Sequence, residues 1–193
     1  MALKAFQKKK FGTLFDIFVP IKDEKLTLEK FMISTKKLYG SENNPHYIIV
    51  KTLKEGWWRQ FVAQKNLPYY VELDKAQWLS LWDKVVTATK KDNKPPAWSQ
   101  VITLSVFQSL ILPNSKKVSF GQYKRYLKSL APIDTFGTNA VIEDNFDILS
   151  EGPDGLDVNK NEDLLTAWLT NQNENKPKPG DFYPLCGYLK KQD

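Results

Sequence analysis

Apolar residues recur along most of the chain with the three- and four-residue spacing of amphipathic helices. The first set, Phe11, Leu14, Phe15 and Phe18, would share one face of a helix. Seven further stripes follow: Phe31, Leu38 and Tyr39; Leu53, Trp57, Trp58 and Phe61; Trp78, Leu81, Trp82 and Val85; Val101, Leu104 and Phe107; Phe120, Tyr123 and Leu127; Ile142, Phe146 and Leu149; Leu164, Leu165 and Trp168. With no convincing long strand pattern between them, the sequence predicts an all-α fold of eight helices.

Clusters of proline and asparagine separate these helices at Asn43–Pro45, Asp92–Pro96 and Asn171–Gly180. The second cluster divides the chain near its middle. We therefore predict two helical pairs in each half, an N-terminal part over residues 1–92 and a C-terminal part over 97–193, packed into one globule with the C-terminal tail against it.

The spacing inside the helix pairs is more informative than their number. Phe15 and Phe107 each precede a single apolar residue, Leu26 and Val118, by eleven positions, and another aromatic residue follows five positions later. A similar segment surrounds Val158. This is the frame of an EF-hand, a helix–loop–helix unit in which the apolar residue at loop position 8 pairs with its sister loop. The sequence predicts four such units in two pairs, with short β bridges between loops.

Three of the four loops lack most of the side-chain oxygen ligands that calcium requires at positions 1, 3, 5, 9 and 12. Loop 1, Val19–Lys30, has valine at position 1 and lysine at position 12. Loop 3, Ile111–Gln122, has isoleucine and glutamine there. If Trp78 is residue 13, loop 2 runs Asn66–Gln77 with Pro68 at position 3. We therefore predict no metal and no cofactor in these loops.

Loop 4 is the acidic stretch SEGPDGLDVNKNED. With Val158 at position 8 and Glu162 at position 12, Pro153 stands at position 3 and Leu156 at position 6, so the usual ligand pattern fails. We interpret the segment as a solvated acidic loop, and an irregular metal site within residues 151–163 is the open alternative.

The net charge of +6 combines two unequal parts. Residues 1–130 carry 23 Lys and Arg against 10 Asp and Glu, whereas residues 131–193 carry 5 against 12. The simplest interpretation is a solvated surface with complementary halves. The alternative is a basic patch for an anionic partner, formed by Lys8–Lys10 and Lys116–Lys128. No nucleic-acid-binding motif accompanies the lysines, so we predict no nucleic-acid partner.

Other classes of protein find little support in the sequence. No apolar run reaches the length of a membrane span, and the N-terminus lacks a signal-peptide core. The single Cys186 excludes an internal disulfide, and one cysteine with one histidine, His46, does not make a zinc site. We expect a cytoplasmic protein. Phosphate-loop, hydrolase-elbow and zinc-protease motifs are absent from the sequence, so a non-enzymatic role is favoured.

Five segments resemble invertebrate sarcoplasmic calcium-binding proteins of the EF-hand superfamily: FQKKKFGTLFDIF, WWRQF, QWLSLWDKVV, WSQVITLSVFQSL with VSFGQYKRYL, and PGDFYPLCGYL. The nearest resemblance is to the insect subgroup that includes juvenile hormone diol kinase and calexcitin-like proteins. It spans nearly the whole chain and implies two EF-hand pairs around an apolar centre. The departure is also clear, since members keep working calcium loops and are acidic, whereas this chain is basic.

The surplus of large aromatic residues suggests a function. Related EF-hand proteins have an internal cavity, and the resemblance implies one here, which would bind or carry an apolar or aromatic small molecule independently of calcium. The predicted lining residues are Trp57, Trp58, Phe61, Trp78, Trp82, Trp98, Phe107 and Trp168. Three alternatives remain open: a plain aromatic core, a scaffold that binds a protein partner, and a phosphotransferase like the diol kinase.

Overall fold

Eight α-helices and one short two-stranded sheet make up the described chain, which confirms the all-α prediction. The structure is a computed structural model that describes residues 3–21, 24–40, 42–111, 115–152 and 155–182. The helices are α1 (Ala5–Phe18), α2 (Leu28–Tyr39), α3 (Pro45–Ala63), α4 (Lys75–Asp92), α5 (Ala97–Leu110), α6 (Phe120–Leu130), α7 (Asn139–Ser150) and α8 (Asn161–Thr170). The strands are β1 (Lys117–Val118) and β2 (Leu156–Asp157), and 3-10 turns cover Ile133–Phe136, Val158–Lys160 and Pro179–Phe182.

The proline and asparagine clusters mark helix boundaries as expected. Asn44 caps α3 by accepting a hydrogen bond from the His46 amide, and Pro45 follows at the first helical position, where its missing N–H is harmless. At the central cluster, α4 ends with Asn93 in a left-handed conformation, φ 55°. Across this break α3 packs against α5 and α4 against α8. The division into parts 1–92 and 97–193 stays a prediction.

The loops of the first two units pair through their apolar position 8. Leu26 and Leu73 exchange two backbone hydrogen bonds of 2.8 and 2.9 Å, and both side chains are buried. Because Leu73 then occupies position 8 of its loop, loop 2 runs Asn66–Gln77, in agreement with the predicted register. In the second half, Val118 of β1 pairs with Leu156 of β2.

The pairing in loop 4 corrects the predicted register, because Leu156 and not Val158 occupies position 8. The Asp157 side chain accepts a hydrogen bond from the amide two residues on and begins a 3-10 turn at Val158, so the extended chain has already ended there. Position 12 therefore falls on Lys160 instead of Glu162. The error arose because two apolar residues stand two positions apart, a spacing that places both on one face of a strand.

Gly155 makes this tight pairing possible. Its φ is +97°, a left-handed conformation that residues with a side chain rarely adopt, and an added Cβ would lie 2.8 Å from the Val118 carbonyl oxygen. The close approach of β1 and β2 therefore depends on glycine at this position.

Candidate functional site

Aromatic rings from α1, α3, α4 and α8 meet at the centre of the molecule. Phe11 stacks on Trp82, with ring centroids 5.0 Å apart, and meets Trp168 edge-to-face at 4.9 Å. Trp57 stacks on Phe61 at 4.6 Å. Such aromatic pairs each contribute about 0.5–1.5 kcal/mol beyond the burial of their surface. The cluster is therefore a stabilising core as well as a candidate ligand site.

Two buried indoles have hydrogen-bond acceptors. Trp58 Nε1 donates to the Tyr69 carbonyl and Trp78 Nε1 to the Phe11 carbonyl, each at 2.8 Å. These bonds fix the orientation of both rings.

Three other indoles, those of Trp57, Trp82 and Trp168, are buried, and their Nε1 atoms have no acceptor among the described residues. A buried donor left without a partner costs about 1–3 kcal/mol. Trp82 lies 5.2 Å from Trp168 and 5.9 Å from Trp57, centroid to centroid, so the three donors belong to one cluster. The centre of the molecule thus offers several hydrogen-bond donors inside an apolar environment.

A small cavity lies beside this cluster, between α2, α3, α5 and α6. Its volume is about 20 Å³, room for one water molecule. Phe31, Thr35, Lys54, Phe107 and Tyr126 contribute to its wall. Of the eight predicted ligand-binding residues, all of which the structure describes, Phe107 is the one that lines this cavity. Their assignment as a ligand site stays a prediction.

Lys54 is the charged residue of the cavity wall, and its side chain is buried. Nζ donates to the Phe31 carbonyl oxygen and to Ser34 Oγ, both at 2.8 Å, and lies 4.5 Å from the centroid of the Phe31 ring. Burial lowers the pKa of Lys54 from 10.5 to about 7. The amine is therefore neutral in a large fraction of molecules near neutral pH.

The hydrophobic pattern did not find Lys54. It placed Leu53 on the inner face of α3, but the structure leaves Leu53 half-buried and Lys54 buried. Lys54 stands four residues after Val50 and three and four residues before Trp57 and Trp58, so helical spacing puts it on the same face. This spacing indicates that Lys54 lies on the buried face, but a charged residue is ordinarily expected to be exposed.

In loop 1 the lysine at position 12 donates to two oxygen atoms of its own loop, one of which is at a calcium-ligand position. Lys30 Nζ is 2.5 Å from Glu24 Oε2 and 3.0 Å from the carbonyl oxygen of Lys25. Lys25 is loop position 7, whose carbonyl is a ligand in calcium-binding EF-hands. The ammonium thus links the start of α2 to the middle of its loop.

Loop 4 repeats this arrangement in the corrected register. Lys160 at position 12 forms an ion pair with Glu151 at position 3. The hydrogen bond with Glu151 raises the pKa of Lys160. Glu162, the residue predicted at position 12, instead accepts a hydrogen bond from Gln100 of α5 at 3.2 Å.

Glutamine amides occupy position 12 in the other two loops. Gln77 Oε1 accepts from the Asp74 amide at 3.0 Å, and Gln122 Oε1 accepts from the Ser119 amide at 2.7 Å. Gln122 Nε2 also donates to the Leu110 carbonyl at the end of α5. An amide in this place caps the helix and cannot supply the two charged oxygens of a glutamate.

These donor sets do not fit a calcium ion. Two positions 12 hold ammonium groups and two hold neutral amides, while calcium needs six to eight oxygen ligands with a carboxylate at that position. Within the described ranges, no group of three or more His, Cys, Asp and Glu side chains is placed to hold a metal. Pro153 and Asp154 of loop 4 lie outside the described residues.

One lysine of the predicted basic patch is not at the surface. Lys10 is fully buried, and its Nζ lies 2.6 Å from Asp181 Oδ1 and also contacts the Trp168 carbonyl. This ion pair ties α1 to the segment that follows α8. Helical spacing from Phe6 explains why the inner face of α1 includes it.

The comparisons with known proteins agree with the fold described above. No family model matches the chain. Sarcoplasmic calcium-binding proteins I, III and IV of Branchiostoma lanceolatum are 24% identical over 176 residues, which covers 88% of this chain and 92% of the relative. The structure of a sarcoplasmic calcium-binding protein from amphioxus superposes with a TM-score of 0.69 at 18% identity, over 98% of this chain and 100% of the other.

The chain has the EF-hand fold of these proteins. The same fold recurs in apoaequorin in complex with (S)-HM-daCTZ, with a TM-score of 0.67 and 16% identity over 93% of this chain and 90% of that one. It also recurs in the photoprotein clytin, with a TM-score of 0.64 and 15% identity over 95% and 94%. Among the described residues, none of the helices combines the length and the apolar character that a membrane span requires.

Proposed function

We propose that this EF-hand-type protein binds an apolar or aromatic small molecule in its interior and does so without calcium. The observation that carries the proposal is the group of buried indole N–H donors of Trp57, Trp82 and Trp168, which have no acceptor among the described residues. A small molecule with an acceptor oxygen in an otherwise apolar body would satisfy such donors.

We expect this molecule to bind at the cavity beside Lys54. Phe31 forms part of its wall and stacks on Trp57 at 5.3 Å, so the cavity and the indole cluster share a ring. The cavity has room for one water molecule, so a ligand must displace side chains of the wall. Apoaequorin, which has the same fold, is known as a complex with the small molecule (S)-HM-daCTZ, and this likeness supports the proposal.

The chemistry of the loops supports the proposed independence from calcium. The ammonium group of Lys30 holds the position-7 carbonyl, and that of Lys160 pairs with Glu151. In each loop the lysine ammonium group connects position 12 to another part of the loop, as the bound ion does in a calcium-binding loop. The sarcoplasmic relatives are named for calcium binding, and this chain would keep their fold for a different use.

The experiment compares three ligands of similar shape by tryptophan fluorescence: toluene, which has no acceptor, methyl benzoate, which has one, and benzoate, which is charged. We expect saturable binding of methyl benzoate in the presence of a calcium chelator. In Trp57→Phe, the loss of one N–H should weaken methyl benzoate binding about twofold to tenfold and leave toluene unchanged. Trp58→Phe is the matched control, because Trp58 Nε1 already donates to Tyr69.

Absence of saturable binding, or binding only after calcium is added, would contradict the proposal. Equal weakening of both ligands in Trp57→Phe would show that the ring, and not its N–H, contributes.

The remaining interpretations stay predictions. The insect diol-kinase subgroup would be supported by nucleotide binding, and a scaffold role by a polypeptide that co-purifies in stoichiometric amount. A cytoplasmic location belongs with these.

A further inference from the structure

We propose that Lys54 anchors apolar aldehydes covalently: its amine forms an imine with the ligand's carbonyl carbon inside the cavity between α2, α3, α5 and α6. The inference rests on the internal binding proposed above and gives the ligand a chemical class, an apolar or aromatic aldehyde.

The hydrogen bonds of Lys54 leave the amine suited to attack. A neutral amine has two N–H groups and one lone pair. Its two acceptors, the Phe31 carbonyl and Ser34 Oγ, both lie 2.8 Å from Nζ, so each N–H has a partner. The lone pair then remains for an electrophile in the cavity that Lys54 lines.

No carboxylate stands among the described residues of the cavity wall, so no anion there pairs with the charged form of the amine. The other titratable side chains among the described residues of this wall are the phenols of Tyr39 on α2 and Tyr126 on α6. Burial without an anionic partner favours the neutral amine, which is how lysines that form imines are activated. Lys10 is also buried, but it pairs with Asp181 and lies outside the wall of this cavity.

A second polar group of the wall has the complementary role. The Thr35 side chain is 2% exposed, and its Oγ1 has no hydrogen-bond partner among the described residues. Its hydroxyl can donate to the carbonyl oxygen of an aldehyde as that oxygen gains negative charge. Lys54 and Thr35 therefore supply a nucleophile and a donor within one apolar cavity.

The reaction balances without a further reagent. The lone pair of Nζ forms a bond to the carbonyl carbon while the carbonyl electrons move to oxygen. Both N–H protons pass to that oxygen, the C–O bond breaks, and one water leaves. The Ser34 hydroxyl, an acceptor for the amine, can rotate and donate to the imine nitrogen.

The test uses benzaldehyde with sodium cyanoborohydride at pH 7, followed by peptide mapping of the reduced adduct. We expect the adduct at Lys54 to form at least about tenfold faster than at any exposed lysine, since exposed amines with a pKa near 10.4 are almost fully protonated there. Methyl benzoate, which has a similar shape and forms no imine, should compete. Lys10 is the internal control and should stay unmodified.

Variants separate the anchor from the fold. Lys54→Met should lose the adduct, whereas Lys51→Met, on the same helix but outside the cavity wall, should retain both the adduct and methyl benzoate binding. Thr35→Val, which keeps the shape and removes the hydroxyl, should slow adduct formation about twofold to tenfold.

If methyl benzoate binds the wild-type protein but no adduct forms at Lys54, the inference is wrong and the proposed function stands. If benzoate binds more tightly than benzaldehyde and leaves Lys54 unmodified, the lysine pairs with acids instead, and the inference is again wrong. If methyl benzoate does not bind at all, both fail.

Discussion

Lys30 and Glu24 face each other within loop 1, with 2.5 Å between Nζ and Oε2. In a calcium-binding EF-hand, position 12 brings a glutamate to the ion, whereas here it brings a cation to the loop's own oxygen atoms. The Lys30 side chain thus supplies the positive charge that the calcium ion supplies in a calcium-binding loop.

Calcium should not change the thermal stability of the protein. A buffer-type site of ~10⁻⁸ M affinity at ~10 μM free calcium would add roughly 4 kcal/mol to the free energy of unfolding. Calorimetry in calcium and in chelator should give the same melting temperature, and a calcium-dependent rise of several degrees would show a working loop.

Replacement of Lys30 by methionine should lower the free energy of unfolding by up to about 1 kcal/mol, the range of partly exposed ion pairs. Calcium should not restore the loss. Lys25→Met is the matched control, since Lys25 lies 3.9 Å from the exposed Glu72 and should contribute less. Urea denaturation measures both, and equal effects would mean that the lysine at position 12 has no special role.

Lys54 should make stability depend on pH in a defined window. Its pKa is about 7 in the folded protein and ordinarily 10.5, so between these values the unfolded chain binds a proton that the folded chain does not. The free energy of unfolding should therefore rise with pH across this window, by about 1.4 kcal/mol per unit relative to Lys54→Met, and stay level below it.

Urea denaturation at several pH values measures this difference, with Lys51→Met on the same helix as the control that should parallel the wild type. A constant difference between wild type and Lys54→Met from pH 7 to 10 would contradict the assignment.

Lys10→Met should be strongly destabilising, by about 3–5 kcal/mol, because it leaves the carboxylate of Asp181 buried without its cation. Lys9→Met, one residue earlier, removes an exposed pair with Glu174 and should change the free energy of unfolding by less than about 1 kcal/mol. Similar values for the two variants in denaturant melts would show that the pair is not buried in solution.

Gly155→Ala should cost about 1–3 kcal/mol, because the new Cβ meets the Val118 carbonyl oxygen and the backbone is left-handed. In Gly121→Ala, on α6, the Cβ would meet no atom within 4 Å, and the helix should gain up to about 1 kcal/mol. A neutral Gly155→Ala would mean that β1 and β2 do not pair as described.

Helical spacing was sufficient for the fold, since all eight apolar stripes became helices and the position-8 residues Leu26 and Val118 were identified correctly. The register of loop 4 could not be decided, because Leu156 and Val158 are equivalent by hydrophobicity. The structure separates them through the Asp157 cap, a local hydrogen bond that a search for apolar residues does not consider.

The candidate site was only partly accessible from sequence. Large aromatic residues predicted a crowded interior, but which indoles lack acceptors depends on backbone carbonyls such as those of Tyr69 and Phe11, and these come from distant parts of the chain. The burial of Lys10 and Lys54 was not predicted, because charged side chains are ordinarily exposed and hydrophobic spacing counts apolar residues alone.

The most direct test of the account is the binding of methyl benzoate measured by tryptophan fluorescence, once with a calcium chelator and once with saturating calcium. The account predicts saturable binding with the same affinity in both buffers. No saturable signal, or a signal that requires calcium, would contradict it.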